Sequence, residues 1–205
     1  GKNKDALKDY SRAIKLNPND SRFILGRGLL KAEMGNHASA LIDFSMALDT
    51  HLEDTGHVYF HRGKARIKLE DWQGGIDELT IALEYTPNNV NARIVRAIAF
   101  RRIKENDKAF NDLNFCISID SLNPNILNRR GLLYLDLNKN IEAKQDFLKA
   151  ISIAPENIKV LGYLGIVESD LKNYQKAIEY YKKILSIDNS KVGNYCSIAH
   201  CYMKM

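Results

Sequence analysis

Residues 6–20 read ALKDYSRAIKLNPND, and residues 143–157 read AKQDFLKAISIAPEN. Alanine, an acid, an aromatic, an Ala-Ile pair and a proline stand in the same places in both stretches. Following the first alanine along the chain finds a column of small residues, Ala6, Ala40, Gly75, Ala109, Ala143 and Ala177, separated by 34, 35, 34, 34 and 34 residues. A second small column lies seven residues further on, Ala13, Ala47, Ala82, Cys116 and Ala150, with Ile184 as the exception. Between the two runs a column of large residues, Tyr10, Phe44, Leu79, Leu113, Phe147 and Tyr181. Pro18, Leu52, Pro87, Ser121, Pro155 and Asn189 follow as a stop column, and Gly28, Gly63, Ala97, Gly131, Gly165 and Ala199 form a small column upstream. Self-similarity at a fixed period of this size marks one supersecondary unit used many times.

Within a unit the apolar spacing is helical. Ile76, Leu79 and Leu83 recur at three and four residues, and so do Tyr59, Arg62, Gly63 and Ile67. Polar breaks such as MGNH and LEDW separate two such runs, and Pro with a following Asn-Asn or Asn-Asp ends the second. Each unit therefore reads as a helix hairpin. Gly, Ala or Cys is needed where two helix axes approach closely, and the large residue fills the space beside them. The one extra residue falls in LDTHLEDTGHVY, residues 48–59, which assigns that stretch, Gly56 included, to a loop.

These columns resemble the tetratricopeptide repeat family over the whole chain. The resemblance implies an all-α fold, a right-handed superhelical solenoid of antiparallel helix hairpins with a concave face. Residues 1–20 carry the second helix of a partial repeat. Full repeats follow at 21–54, 56–89, 90–123, 124–157 and 158–191, and 192–205 is the first helix of a further one. Gly75, Ile184, Leu52, Ser121 and Asn189 depart from the family pattern. A helix without its mate at each end leads to the expectation of further repeats or partners covering both ends. Pentatricopeptide arrays, which read RNA, have a similar period but lack the Ala–aromatic–Ala–Pro series.

Composition narrows the function. The chain has 205 residues, 45% hydrophobic and 27% charged, with a formal net charge of +5. That balance fits a folded domain, and the scattered basic excess does not make a nucleic-acid footprint. No apolar run approaches a membrane span. Three cysteines, Cys116, Cys196 and Cys201, are too few and too uneven for a disulfide framework and read as buried small hydrophobes. Cys196 and His200 share a helix face beside Cys201 but lack a fourth ligand, and His57 and His61 lack a carboxylate or cysteine to complete a set. No metal is expected. There is no Gly-rich phosphate loop, no GxSxG and no HExxH, so no catalytic residue and no cofactor are expected either.

Aligning the units with one another exposes a second pattern. Arg27, Arg62, Arg96 and Arg130 precede the small column, and Leu164 takes that place in the fifth unit. Sixteen residues downstream stand Asp43, Glu78, Asp112 and Asp146, then Tyr180. The two columns switch together, which points to side chains meeting within each hairpin. Pairing between units (Asp43 with Arg62, and so on) would leave Asp146 facing Leu164. A planar Arg fork suits a carboxylate, and the ladder is expected to hold hairpin register rather than to bind a ligand.

The face of each first helix opposite the small column should line the groove. It carries Arg22, Leu25, Leu29, His57, Phe60, His61, Lys64, Lys68, Ile94, Ile98, Arg101, Arg102, Arg129 and Leu132. Apolar residues between cations suit a peptide-like protein segment with apolar anchors and acidic flanks. The same apolar residues also suit contacts between neighbouring helices. The resemblance implies a protein-interaction scaffold within a larger assembly, or alternatively the targeting or regulatory segment of a multidomain enzyme. The chaperone-tail clamp of some family members needs Lys or Asn where Leu25, Leu29, Phe60, Ile94 and Ile98 stand, so that partner is not expected. A cytoplasmic location is expected, with ciliary or cytoskeletal assemblies as one setting.

Overall fold

The computed structural model describes residues 1–50 and 54–205, and every regular element among them is an α-helix. In chain order these are α1 (Lys2–Leu16), α2 (Ser21–Glu33), α3 (His37–Leu48), α4 (Thr55–Lys68), α5 (Trp72–Tyr85), α6 (Val90–Arg102), α7 (Asn106–Ile119), α8 (Pro124–Asp136), α9 (Asn140–Ile153), α10 (Ile158–Asp170), α11 (Tyr174–Ile187) and α12 (Gly193–Lys204). The chain divides into two compact units, Gly1–Asp112 and Leu113–Met205, with the division inside α7. In the first unit α2 packs on α3 and α4 on α5, and α1, α4 and α6 extend the series. In the second, α8 packs on α9 and α10 on α11, with α12 against α11. Leu52 and the residues beside it, which carry one stop signal and part of the insertion, lie outside the described residues.

Local chemistry sets where the first helices begin. Asp20, Asp54, Asn89, Asn123 and Asn157 each cap one, the side-chain oxygen accepting a backbone N–H of the first turn at 3.0–3.3 Å. Such caps satisfy donors that the helix itself leaves open. Every one of these first helices, α2, α4, α6, α8 and α10, also ends in the same way. At Gly35, Glu70, Lys104, Asn138 and Lys172 the backbone turns left-handed, with φ between 56° and 81°. The next N–H then bonds back across five residues: Asn36 to Lys31, Asp71 to Arg66, Glu105 to Phe100, Lys139 to Tyr134 and Asn173 to Glu168, at 2.8–3.0 Å. This is the Schellman closure, and it fixes the angle at which the second helix departs.

The small and large columns meet across each hairpin. A Cβ added at Gly28 would stand 2.9 Å from the Phe44 ring, and one at Gly63 would stand 2.9 Å from Leu79 Cγ. In the second unit the equivalent approaches are 2.6 Å for Gly131 to Phe147 and 2.5 Å for Gly165 to Tyr181. Any side chain there would push the helices apart. Phe44, Leu79 and Phe147 are wholly buried, as are Ala40, Ala47, Ala82, Ala109, Cys116, Ala143, Ala150 and Ala177.

Two expectations are corrected. Gly56 lies inside α4, buried, and a Cβ added to it would stand only 2.6 Å from Tyr85 Cβ, because α4 already starts at Thr55, behind the Asp54 cap. Among the cysteines, Cys116 and Cys201 are buried, but Cys196 is exposed. Cys201 joins the cluster of Ala177, Ile178, Tyr181 and Ile184, whereas Cys196, five residues earlier, sits well over a quarter-turn away around α12.

Candidate functional site

Four arginine–acid pairs close within hairpins. Arg27 Nε donates to Asp43 Oδ2 at 3.0 Å and its Nη2 to Oδ1 at 2.7 Å. Arg96 makes the same fork on Asp112 at 2.8 Å twice, Arg130 on Asp146 at 2.7 and 2.8 Å, and Arg62 meets Glu78 at 2.8 Å. The carboxylates are almost fully buried, Asp43 at 1% exposure. Three of them take a second cation that the column comparison missed: Lys31 on Asp43 at 2.7 Å, Arg66 on Glu78 at 3.4 Å and Arg93 on Asp112 at 3.2 Å. Burying an ionised carboxylate is costly unless its charge and lone pairs are matched, which explains the doubling. Asp146 holds the Arg130 guanidinium above its ordinary pKa through the hydrogen bond between them.

Each ladder arginine also reaches backwards. Nη1 of Arg27, Arg62, Arg96 and Arg130 lies at 3.4, 3.4, 3.0 and 2.8 Å from Ser11, Ser45, Thr80 and Asn114, on the preceding second helix. One side chain thus ties its own hairpin together and stitches it to the previous one. The sequence carries a trace of this polar column, since Leu148 takes its place before Leu164 in the fifth unit. There Tyr180 and Leu164 share the apolar cluster of Phe147 and Val160 instead. A different ion pair stands nearby: Lys144 of α9 meets Glu168 of α10 at 2.7 Å, and Glu168, 1% exposed, also accepts from Asn173. The columns do not single out that pair: Lys144 has only uncharged residues in step with it, and Glu168 stands in a mixed column with Lys31, Arg66, Phe100 and Tyr134.

The groove residues divide by surroundings. Leu25 and Leu29 are half-buried against the cluster of Ile24, Ala40 and Phe44, and Leu132 against that of Leu127 and Phe147. Arg22 chelates its own cap, Asp20, at 2.7 and 2.9 Å. Arg102 lies 5.6 Å over the Trp72 ring. Ile94, Ile98, Arg101 and Arg129 are half-buried. On α4, His57, Phe60 and His61 form one patch: the two imidazole Nε2 atoms are 3.0 Å apart, and Phe60 meets His61 edge-on at 4.9 Å. Burial, with His57 and Lys64 close by, pushes His61 down to about 4, so it is uncharged at neutral pH.

The structure gathers four of the expected residues around a cleft of about 530 Å³ in the first unit: Leu29 from α2, and His61, Lys64 and Lys68 from α4. Ala32, Glu33, Gly35, His37 and Ala65 complete its lining. Sequence reasoning missed His37 because it opens the second helix, not the first. Its Nδ1 is buried and meets no hydrogen-bond partner among the described residues. The two exposed lysines against one glutamate leave the cleft net cationic over an apolar floor. No described helix is long and apolar enough to cross a membrane, and no group of three or more His, Cys, Asp or Glu among the described residues could hold a metal ion.

Comparison with known proteins agrees with this geometry. A family model described as tetratricopeptide repeat matches residues 124–157 and 159–191, and a second of the same description matches 1–51. Mouse sperm-associated antigen 1 is 26% identical over 95 residues, 46% of this chain, and the match spans only 10% of that protein's length. The structure of MamA, residue 41 to the end, from Desulfovibrio magneticus RS-1 superposes with a TM-score of 0.76 at 19% identity, over 83% of this chain and 96% of that one. YrrB, described as a TPR protein with an unusual peptide-binding site, gives 0.71 at 16% identity over 95% and 97%. At these identities the likeness of structure speaks for the fold alone.

Proposed function

The chain belongs to the tetratricopeptide repeat family, and from that premise we propose that it is a protein-interaction scaffold whose partner docks on the first unit, against the facing surfaces of α2 and α4. The observation that carries this reading is the α2–α4 cleft, where an apolar floor from Leu29, Ala32 and Ala65 lies under Lys64 and Lys68. Such a surface fits a peptide-like segment with an apolar anchor and acidic flanks. Acid complementarity speeds encounter, and desolvated apolar contact supplies most of the affinity. Phe60, half-buried beside His61, offers the aromatic contact next to the cleft. YrrB, with its peptide-binding site, supports the reading by analogy of fold. The ladder arginines serve structure in this proposal, since their forks are already filled by buried carboxylates. No catalytic role is assigned to any residue.

Peptide-library selection on the intact chain tests the reading. Selected peptides should be rich in Asp and Glu around one or two apolar positions. Lys64→Glu with Lys68→Glu should weaken them at least ~10-fold by charge reversal, and Phe60→Ala by roughly fivefold or more. Selection of basic or uncharged peptides, or acidic ones indifferent to both changes, would overturn it.

A further inference from the structure

We infer that the apolar anchor taken by the α2–α4 cleft is an aromatic side chain of the partner, tryptophan foremost, seated on Ala32 and Ala65 beside Lys68. This deepens the docking proposal above and rests on it. The repeats supply the comparison. One hairpin on, where α4 faces α6, the equivalent place holds an aromatic ring of the chain itself. Trp72 opens α5, and the Arg102 guanidinium of α6 lies over its ring at 5.6 Å. His37 stands in step with Trp72, and Lys68 in step with Arg102. Both line the cleft.

What differs is size. Gly35 takes the place of Glu70, Ala32 that of Ile67 and His37 that of Trp72. Ile67 turns its Cδ1 towards Gly75, into its own hairpin, so the bulk missing from the cleft is the indole. The space of about 530 Å³ has room for one. Residue types change from unit to unit at these places, with Asn106 and Asn140 following Trp72, so only the packed helices bring the likeness out.

The lining suits a ring on each side. Leu29, Ala32 and Ala65 give an apolar floor. Burial keeps His61 uncharged at neutral pH, and its imidazole, which already meets Phe60 edge-on at 4.9 Å, makes an aromatic wall. Lys64 and Lys68 are exposed and one turn apart on α4. A cation over a ring face is attracted by the ring quadrupole, most strongly for indole, and Lys68 holds the place from which Arg102 does this to Trp72. Lys64 is left for the acidic flank. Glu33, also in the lining, offers an acceptor to the indole N–H, a bond that a phenyl ring or leucine cannot make.

The test uses the intact chain and three synthetic peptides, acetyl-DEDWDED-amide and its analogues with leucine or alanine in place of tryptophan. By calorimetry the tryptophan peptide should bind at least ~10-fold more tightly than the leucine one. Its ring current should move the Ala32 and Ala65 methyl signals upfield in NMR spectra, and the leucine peptide should not. Neither measurement needs a variant. His37→Trp supplies the chain's own indole, as Trp72 does, and should erase the preference for tryptophan without lowering Tm. Equal affinity for the tryptophan and leucine peptides, both weakened by Lys64→Glu with Lys68→Glu, would overturn the aromatic anchor and leave docking of an acidic segment standing. Tight binding of the tryptophan peptide with unmoved Ala32 and Ala65 signals would overturn it as well. Failure of all three peptides to bind would overturn both the anchor and the docking proposal.

Discussion

At the residue scale, the left-handed closures put strain where the side chain is wrong for it. Gly35 holds φ 81° at no steric cost, but Glu70, Lys104 and Lys172 hold 61–63° with a Cβ, and Asn138 holds 56°. An L-residue there costs roughly 1 kcal/mol, less for Asn. Lys104→Gly should therefore raise stability by about 0.5 kcal/mol, after the larger unfolded-state entropy of glycine is subtracted, while Gly35→Ala should lower it by about 1 kcal/mol. Urea midpoints at constant m-value check both signs. Close approach gives a second prediction. Gly63 faces Leu79 and the Gly75 carbonyl, and Gly56 faces Tyr85, so Gly63→Leu and Gly56→Leu should each cost roughly 1–3 kcal/mol or more. A thermal melt of Gly56→Leu that matches wild type would mean that α4 and α5 are not in contact at that end.

At the element scale, the ladder decides how hairpins hold their register. Arg130→Leu leaves Asp146 buried beside an apolar side chain, and a one-sided break of this kind costs about 3 kcal/mol. Arg130→Leu combined with Asp146→Tyr copies the Leu164 and Tyr180 arrangement of the fifth unit and should recover more than half of the loss. Additive effects in a double-mutant cycle would show that the two side chains do not interact. The same arginine also bonds Asn114 on the preceding helix, and Asn114→Ala should cost about 1 kcal/mol, a loss that disappears in the Arg130→Leu background.

At the scale of the whole molecule, each unit buries its own clusters: Ile24, Ala40 and Phe44 among others in the first, and Leu127, Phe147 and Leu164 in the second. In repeat proteins stability is a sum of hairpin and nearest-neighbour terms, so damage stays local. Gly131→Leu, which drives a side chain into Phe147, should speed amide hydrogen exchange in α8–α10 far more than in α2–α4. Uniform acceleration along the chain would mean that the two units open together.

Much of this architecture is legible in the sequence. The small, large and arginine–acid columns report contacts that recur sixteen residues apart in hairpin after hairpin, and repetition turns one weak spacing into a period. Close packing forces Gly28 against Phe44 and Gly131 against Phe147 by the same steric rule, so the rule shows in the sequence. Gly56 reads wrongly as a loop residue because the insertion beside it hides the helix start that the Asp54 cap sets. Lys31, Arg66 and Glu168 share a column four residues after the ladder position, but Phe100 and Tyr134 interrupt it and its charge changes sign, so the contacts it makes are not readable from it, and Arg93 on Asp112, Lys144 on Glu168 and the meeting of His37 with Lys64 and Lys68 around one cleft leave no periodic trace. They arise where particular side chains from different helices converge, and the balance of burial, charge and reach at each such place exists only once the helices have packed.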